Sequence, residues 1–120
     1  LMVNILKLRT IIKNTKMTIT TGRTMYEILK SFDNLNNPVV PASFTYEFYI
    51  NGITSSTVSL NISLYDSAKG SYMASFSAAT LGIYQFSIKN ITTSVIYISD
   101  LYDVRPESEI NSSPTIYVGL

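Results

Sequence analysis

The chain has 120 residues, enough for one domain with a real core and too few for two, and its formal net charge is +1. Hydrophobic residues make up 46% of it and charged residues only 14%, which argues against disorder throughout and against electrostatic binding of nucleic acid. Because it contains no His and no Cys, it lacks the commonest general base, the thiolate nucleophile, the usual zinc ligands and any disulfide.

The first part of the chain, residues 1–23, mixes Ile and Leu with Lys, Thr and Asn. Its β-branched residues favour extended structure over helix, and we predict a basic arm that lies outside the core. A short helix over Val3 to Lys13 is the alternative. No segment approaches the roughly 20 uninterrupted apolar residues of a membrane span, and the start is not apolar enough for a signal peptide.

From residue 24 to residue 99, six segments read as strands: the first alternates only imperfectly, and the clearest of the others alternate apolar residues with small or polar ones, which is the pattern of half-buried antiparallel strands. They lie about 8–12 residues apart with no helical period between them, and this spacing predicts an all-β sandwich. The six segments are Thr24–Phe32, Phe44–Ile50, Val58–Leu64, Tyr72–Phe76, Tyr84–Ile88 and Ser94–Ser99. Thr115 to Val118 is a candidate for an added edge strand.

The turns between these segments carry their own signals. Asn51-Gly52 directly follows an alternating segment and is the strongest hairpin signal in the chain. Asp33 and Asp66 lie in predicted turns, where an aspartate side chain accepts hydrogen bonds from nearby backbone N–H groups.

The alternation also predicts which side chains form the core. The expected core residues are Phe44, Tyr46, Phe48, Ile50, Val58, Leu60, Ile62, Leu64, Tyr72, Phe76, Tyr84, Phe86 and Ile88. A second group of aromatic residues is expected to include rings outside the core: Tyr49, Tyr65, Tyr97, Tyr102 and Tyr117. Exposed rings on a flat surface suit stacking on carbohydrate, although tyrosine is also simply a good strand residue.

Four motifs with glycine, proline or aromatic residues follow one another along the chain. They are Asp33 to Asn37 followed by Pro38-Val39, Phe44-x-Tyr46-x-Phe48 with Asn51-Gly52, Asp66 to Gly70 followed by x-Tyr72-x-x-x-Phe76, and Gly82-x-Tyr84-x-Phe86-x-Ile88. Together they resemble the immunoglobulin-like modules of bacterial surface proteins and of tailed-phage virion proteins, over residues 24 to 105. The sequence departs from that pattern at Asn36, where the opening turn usually has Gly, and in lacking a strand Trp and a Cys pair.

The resemblance implies an immunoglobulin-like antiparallel β-sandwich of about seven strands. Residues 1–23 are then the N-terminal arm, 24–105 the sandwich and 106–120 an acidic and polar C-terminal extension. It further implies a non-enzymatic structural or assembly protein of a virus particle, such as a bacteriophage capsid, neck or tail component. The domain stands nearly alone and carries extensions of opposite charge. Both features favour a virion component over a repeat of a cell-surface protein. The alternative is a cell-surface adhesion or carbohydrate-binding module.

Charged residues toward the two ends of the chain are the candidate partner-binding residues: Lys7, Arg9, Lys13 and Lys16 at the basic end, and Asp100, Asp103, Glu107 and Glu109 at the acidic end. We expect the partners to be other virion proteins or copies of this chain, which a β-arm joins by adding to a neighbouring sheet edge. Nucleic acid or anionic lipid is a weaker alternative for the basic set.

A calcium site is a weaker alternative for the acidic set, because its spacing matches no EF-hand loop and no glycine tightens it. We predict no catalytic residue, no cofactor and no metal, since no set of residues offers a nucleophile beside a base. We expect neither nucleic acid nor a membrane as partner, and the glycan alternative stays open.

Overall fold

The structure is a computed structural model that describes residues 9–12 and 16–108, with side chains described from Lys16 onward. Strands dominate this part of the chain and form two sheets. In chain order they are β1 (Arg9–Ile12), β2 (Lys16–Thr20), β3 (Thr24–Lys30), β4 (Phe44–Ile50), β5 (Ile53–Ser55), β6 (Asn61–Asp66), β7 (Ser71–Ser77), β8 (Gly82–Asn90), β9 (Val95–Ile98) and β10 (Leu101–Arg105). No helix in the described residues is long and apolar enough to cross a membrane.

The larger sheet is built around β8, the longest strand. β4 pairs with β8 antiparallel along its whole length, and β5 extends the sheet beyond β4. On the other side of β8, β9 and β10 pair with its two ends and act as two halves of one last strand, interrupted between Ile98 and Leu101. The hairpin between β4 and β5 turns at Asn51 and Gly52, both at positive φ, as the sequence predicted.

The N-terminal strands also belong to the larger sheet. β1 pairs parallel with β9, and β2 pairs parallel with β10. The arm is therefore extended, but the prediction that it lies outside the core is wrong for β2, because Ile19 is only 4% exposed and packs in the core. The helical alternative is wrong for residues 9–12, which form β1, and its remaining residues lie outside the described part of the chain.

The smaller sheet has three antiparallel strands in the order β3-β7-β6. Its central strand alternates strictly: Tyr72, Ala74 and Phe76 are buried on the inner face. The antiparallel sheets face each other across these side chains, and β1 and β2 run parallel to the last strand. A three-stranded sheet opposite a sheet centred on β8 is the immunoglobulin-like arrangement.

An aromatic cluster fills the core between the sheets. The Phe76 ring lies 5.1 Å from the rings of both Phe48 and Tyr102, and 5.8 Å from that of Phe86. All three contacts are edge-to-face, a geometry that aromatic pairs prefer. Tyr102 belongs to the group expected to include rings outside the core, but its own side chain is only 1% exposed.

Two predicted core residues are exposed instead. Tyr46 is 41% and Leu64 is 49% exposed, although each sits in register with a buried residue, Ile88 and Tyr72 respectively, and so faces inward. Both residues lie where a sheet is open: Leu64 is in β6, the last strand of the smaller sheet, and Tyr46 lines an open groove beside β4. Four further predicted core residues are half-buried and pack against the core: Phe44, Ile50, Val58 and Ile62.

The predicted aspartate turns are confirmed. Asp33 accepts hydrogen bonds from the backbone N–H groups of Leu35 at 2.8 Å and Asn37 at 2.9 Å. Asp66 accepts from Ala68 at 3.1 Å. Asn36, the departure from the usual glycine, has φ +65°, a left-handed conformation that asparagine tolerates better than most residues.

Candidate protein-interaction site

The outer edge of β4 is only half covered by another strand. β5 pairs with β4 at Phe48–Ile50, and no other described strand lies beside this edge. The N–H of Asn51 donates to the carbonyl of Ile83 beside β8 at 2.7 Å. Because antiparallel ladders alternate, the backbone groups of Phe44 and Tyr46 then point away from β8, toward the open edge.

A groove of about 320 Å³ lies beside this edge. Its lining combines apolar and polar side chains: Tyr46, Phe48 and Val58 with Glu47, Thr54, Ser55 and Ser56. The ring of Tyr46 packs edge-on against Phe48, at a centroid distance of 6.2 Å and an interplanar angle of 82°. The groove therefore has an aromatic floor that remains accessible to a partner.

Glu47 gives the groove a negative charge. It is an exposed residue of β4 whose Oε1 accepts a hydrogen bond from the Tyr49 hydroxyl at 3.3 Å. Open backbone groups supply the hydrogen bonds for an added strand, and pockets for alternate side chains supply its selectivity. An extended segment that alternates apolar side chains with Lys or Arg is complementary to this edge in both shape and charge.

Two of the predicted partner-binding residues, Lys16 and Asp103, contact each other. Lys16 Nζ lies 3.5 Å from Asp103 Oδ2, and Arg105 Nε donates to Asp103 Oδ1 at 3.0 Å. Asp103 is 6% exposed, and the hydrogen bond from Arg105, followed by the charges of Arg105 and Lys16, holds the pKa of its carboxyl below the usual range. This ion-paired cluster joins β2 to β10 within the chain.

The other predicted partner-binding residues are dispersed. Asp100 is half-buried between β9 and β10, and Glu107 is exposed after the end of β10. Arg9 lies in β1 opposite Val95. Lys7, Lys13 and Glu109 lie outside the described residues. Within the described part of the chain, no three acidic side chains form a group that could hold a metal ion.

The tyrosines of this group that the structure describes do not form one flat platform. Tyr97 and Tyr102 are buried, Tyr49 is half-buried and Tyr65 is 63% exposed. Tyr117 lies outside the described residues. The expectation that this group includes rings outside the core is confirmed by Tyr65, whereas Tyr97 is buried and its hydroxyl donates to the carbonyl of Lys30 across the sandwich.

The alternation of residues does not predict the open edge of β4. Alternation identified Phe44–Ile50 as a strand and placed Tyr46 correctly on its inner face, but it does not reveal which neighbours a strand will have. The available signal was the Asn51-Gly52 turn followed by the short, hydroxyl-rich β5, which is too short to cover β4. A three-residue strand after a seven-residue strand leaves half of the longer edge open.

The two sheets define this chain as an immunoglobulin-like β-sandwich. Among solved structures, the filamin domain of Lin-41 is similar, with a TM-score of 0.55 and 13% sequence identity over 73% of this chain and 82% of that chain. The titin M3 domain is similar with a TM-score of 0.40 and 14% identity, over 81% of this chain and 92% of that chain. No family model matches the sequence, and no curated protein is similar to it in sequence.

Proposed function

We propose that this chain is a non-enzymatic structural or assembly protein of a virus particle, which joins neighbouring copies by adding a strand to the open edge of β4. The observation that carries the proposal is the pairing of β4, which β5 covers only at Phe48–Ile50. Exposed edges of this kind are usually protected, because they template pairing with other chains. An assembly that covers the edge with a neighbouring copy removes this hazard.

The strand that suits the edge is the start of the chain in a neighbouring copy. Leu6-Lys7-Leu8, which precedes β1, alternates apolar and basic residues. Two residues apart along a strand point to the same face, so the two leucines can face the aromatic floor at Tyr46 while a basic side chain approaches Glu47. The strand pairing of β1 with β9 begins only at Arg9.

The virus-particle setting is supported by the resemblance of the motifs to modules of tailed-phage virion proteins. The basic character of residues 1–23 and the acidic character of residues 106–120 also suit a lattice of repeated contacts between unlike surfaces. Partners are accordingly copies of the chain or other virion proteins, and the location is the virion.

The test is a charge exchange followed by the mass of the native species in solution. The full chain, with a monomer mass of 13.4 kDa, is expected to form a defined oligomer by light scattering as its concentration rises. Glu47→Lys and Lys7→Glu each shift the species toward monomer, and the double variant recovers the oligomer. If the wild-type chain is monomeric at every concentration, or if the double variant does not recover assembly, the proposal is wrong.

A second pair of variants separates the contribution of the backbone N–H to assembly from that of the side chain. Tyr46→Ala removes the ring and keeps the N–H, whereas Tyr46→Pro removes both. Proline is tolerated on open edges because the N–H there has no ladder partner. We expect Tyr46→Pro to assemble less than Tyr46→Ala. Equal assembly of the two variants would assign the contact to side chains alone and overturn the strand-addition mode.

The alternative, a cell-surface adhesion or carbohydrate-binding module, makes a different prediction. Binding to a glycan array that is lost in Tyr65→Ala, together with a monomer in solution, would favour it. Tyr65 is the test residue because its ring is 63% exposed.

A further inference from the structure

A second groove lies on the opposite side of the sandwich, between β3 of the smaller sheet and β9 of the larger one. It encloses a cavity of about 150 Å³ whose lining is almost entirely apolar. Leu29 and Phe86 form its buried wall, and Ile28, Tyr97 and Ile98 flank it. An apolar cavity of about this size takes up benzene in another protein, so there is room for one aliphatic side chain.

β3 is an edge strand beside this cavity. It pairs with β7, and no described strand lies on its other side. The N–H of Ser31, which continues β3, donates to the carbonyl of Gly70 beside β7 at 2.7 Å. The alternation of the ladder therefore turns the backbone groups of Tyr26 and Ile28 toward the open side.

The side chains of these two residues are exposed as well. Tyr26 is 61% and Ile28 is 42% exposed on the outer face of β3. An edge with unpaired backbone groups, exposed apolar side chains and an apolar cavity beneath it is a docking surface for one more strand.

The chain leaves the sandwich close to this edge. β10 ends at Arg105, whose carbonyl accepts a hydrogen bond from the N–H of Thr21 at 3.1 Å. β3 begins shortly afterwards, at Thr24, so the C-terminal segment starts at the end of the sandwich where β3 also starts. Residues 106–114 span up to roughly 30 Å when extended, which exceeds the roughly 24 Å length of a seven-residue strand.

We propose that Thr115-Ile116-Tyr117-Val118 docks on the open edge of β3 in the same chain and inserts Ile116 into the cavity. Residues 109–120 lie outside the described part of the chain, and it is the sequence of this segment and its point of departure that support the docking. The segment alternates Ile116 and Val118 with Thr115 and Tyr117, so one face is aliphatic and the other carries hydroxyl groups, as a half-buried strand requires.

Docking within the chain is favoured over docking on a neighbour because the linker is short. A short flexible linker gives an effective concentration in about the millimolar range, above the concentration at which a neighbouring copy competes. The added strand makes the smaller sheet four-stranded and covers the exposed edge at Tyr26 and Ile28. This contact is independent of the β4 edge and of the proposed assembly.

Disulfide trapping tests the proposal in the full chain. Since the sequence has no Cys, an Ile28→Cys, Tyr117→Cys variant contains a single pair of thiols. Oxidation at low protein concentration is expected to link these thiols within one chain. The matched control is Tyr65→Cys, Tyr117→Cys, because Tyr65 lies in β6, the opposite edge strand of the same sheet, and, at 63%, is more exposed than Ile28. Random collisions therefore favour the control.

We expect the Ile28–Tyr117 pair to link about tenfold faster than the control, as judged by a non-reducing gel and by mass spectrometry. Adding Ile116→Asp is expected to slow disulfide formation to the control rate. Adding Thr115→Asp, on the other face of the segment, should leave the rate of disulfide formation high. The proposal is wrong if the two cysteine pairs link at equal rates, or if the Ile28–Tyr117 pair does not link within one chain. It is also wrong if Ile116→Asp leaves the linking rate unchanged. Far-UV circular dichroism checks that every variant is folded.

Discussion

The hydroxyl of Tyr102 in β10 donates a hydrogen bond to the carboxylate of Glu27 in β3, and this contact joins the two sheets through residues 75 positions apart. Both partners are buried, with exposures of 1% for Tyr102 and 9% for Glu27. Burial, and then the hydrogen bond and charge of Glu27, raise the pKa of Tyr102 well above that of a free phenol. The phenol therefore remains a donor at any pH near neutrality.

Tyr102→Phe is expected to lower the free energy of unfolding by about 1.5–3 kcal/mol, the value of a hydrogen bond to a charged group. The variant keeps the ring in its place among Phe76 and Phe86 and removes a donor from a buried carboxylate. Urea unfolding measures the change. Tyr65→Phe is the control, since its exposed hydroxyl should contribute less than about 0.5 kcal/mol. Equal effects of the two variants would show that the buried contact adds no stability.

The ion-paired cluster around Asp103 predicts sensitivity to acid. The pKa of the Asp103 carboxyl is lowered in the folded state, chiefly by the hydrogen bond from Arg105, and that of Asp33 is lowered chiefly by the backbone N–H of Asn37. A carboxyl with a lowered pKa stabilises the fold above its unfolded pKa of about 3.9, and this stabilisation is lost as the pH falls through the folded pKa. Stability should therefore decline below about pH 4.

Asp103→Asn is expected to make that decline shallower. At neutral pH the variant should lose only about 1 kcal/mol or less, because the side chains of Lys16 and Arg105 are 53% and 47% exposed and water screens them. Urea unfolding at a series of pH values measures both effects. The same acid dependence in the wild type and the variant would contradict the assigned role of Asp103.

Gly70 is held in a conformation and a space that only glycine fits. Its φ is +62°, and an added Cβ would lie 2.6 Å from the carbonyl oxygen of Ser31. Gly52 has φ +80° with nothing within 4 Å of an added Cβ. Gly70→Ala should therefore cost about 2–5 kcal/mol from strain and overpacking together, and Gly52→Ala about 1–2 kcal/mol from strain alone. Thermal unfolding measures both variants. Similar losses of stability in the two would show that the structure relieves the contact with Ser31 without cost.

The sequence predicted the local elements of this fold well because the relevant physics is local. Tyr84, Phe86 and Ile88 alternate with polar residues after Gly82, and all three are buried in β8. The Asn51-Gly52 turn was predicted for the same reason, since its conformational preference depends on two adjacent residues. Immunoglobulin-like architecture then followed from the number and spacing of such strands.

The burial of a residue by strands distant in the sequence was not predictable in this way. Tyr46 and Phe48 have the same place in the alternation, yet the first is 41% and the second 1% exposed. Phe48 packs against the ring of Phe76 in the facing sheet, whereas Tyr46 lines the open groove beside β4. Likewise, Lys16 and Asp103 were each assigned to outside partners, although parallel pairing of β2 with β10 brings them together. Their contact depends on residues far apart in the chain, which periodicity does not connect.

The last prediction tests whether the N-terminal strand is part of the domain. Ile19 is 4% exposed in β2 and packs in the hydrophobic core, while Thr18, its neighbour, is exposed. Ile19→Ala removes three buried carbon atoms and should lower the free energy of unfolding by about 2–5 kcal/mol, whereas Thr18→Ala should change it by less than about 0.5 kcal/mol. Urea unfolding of both variants provides the measurement. If Ile19→Ala is as stable as Thr18→Ala, β2 does not contribute to the core in solution, and the arm lies outside the domain as its sequence suggested.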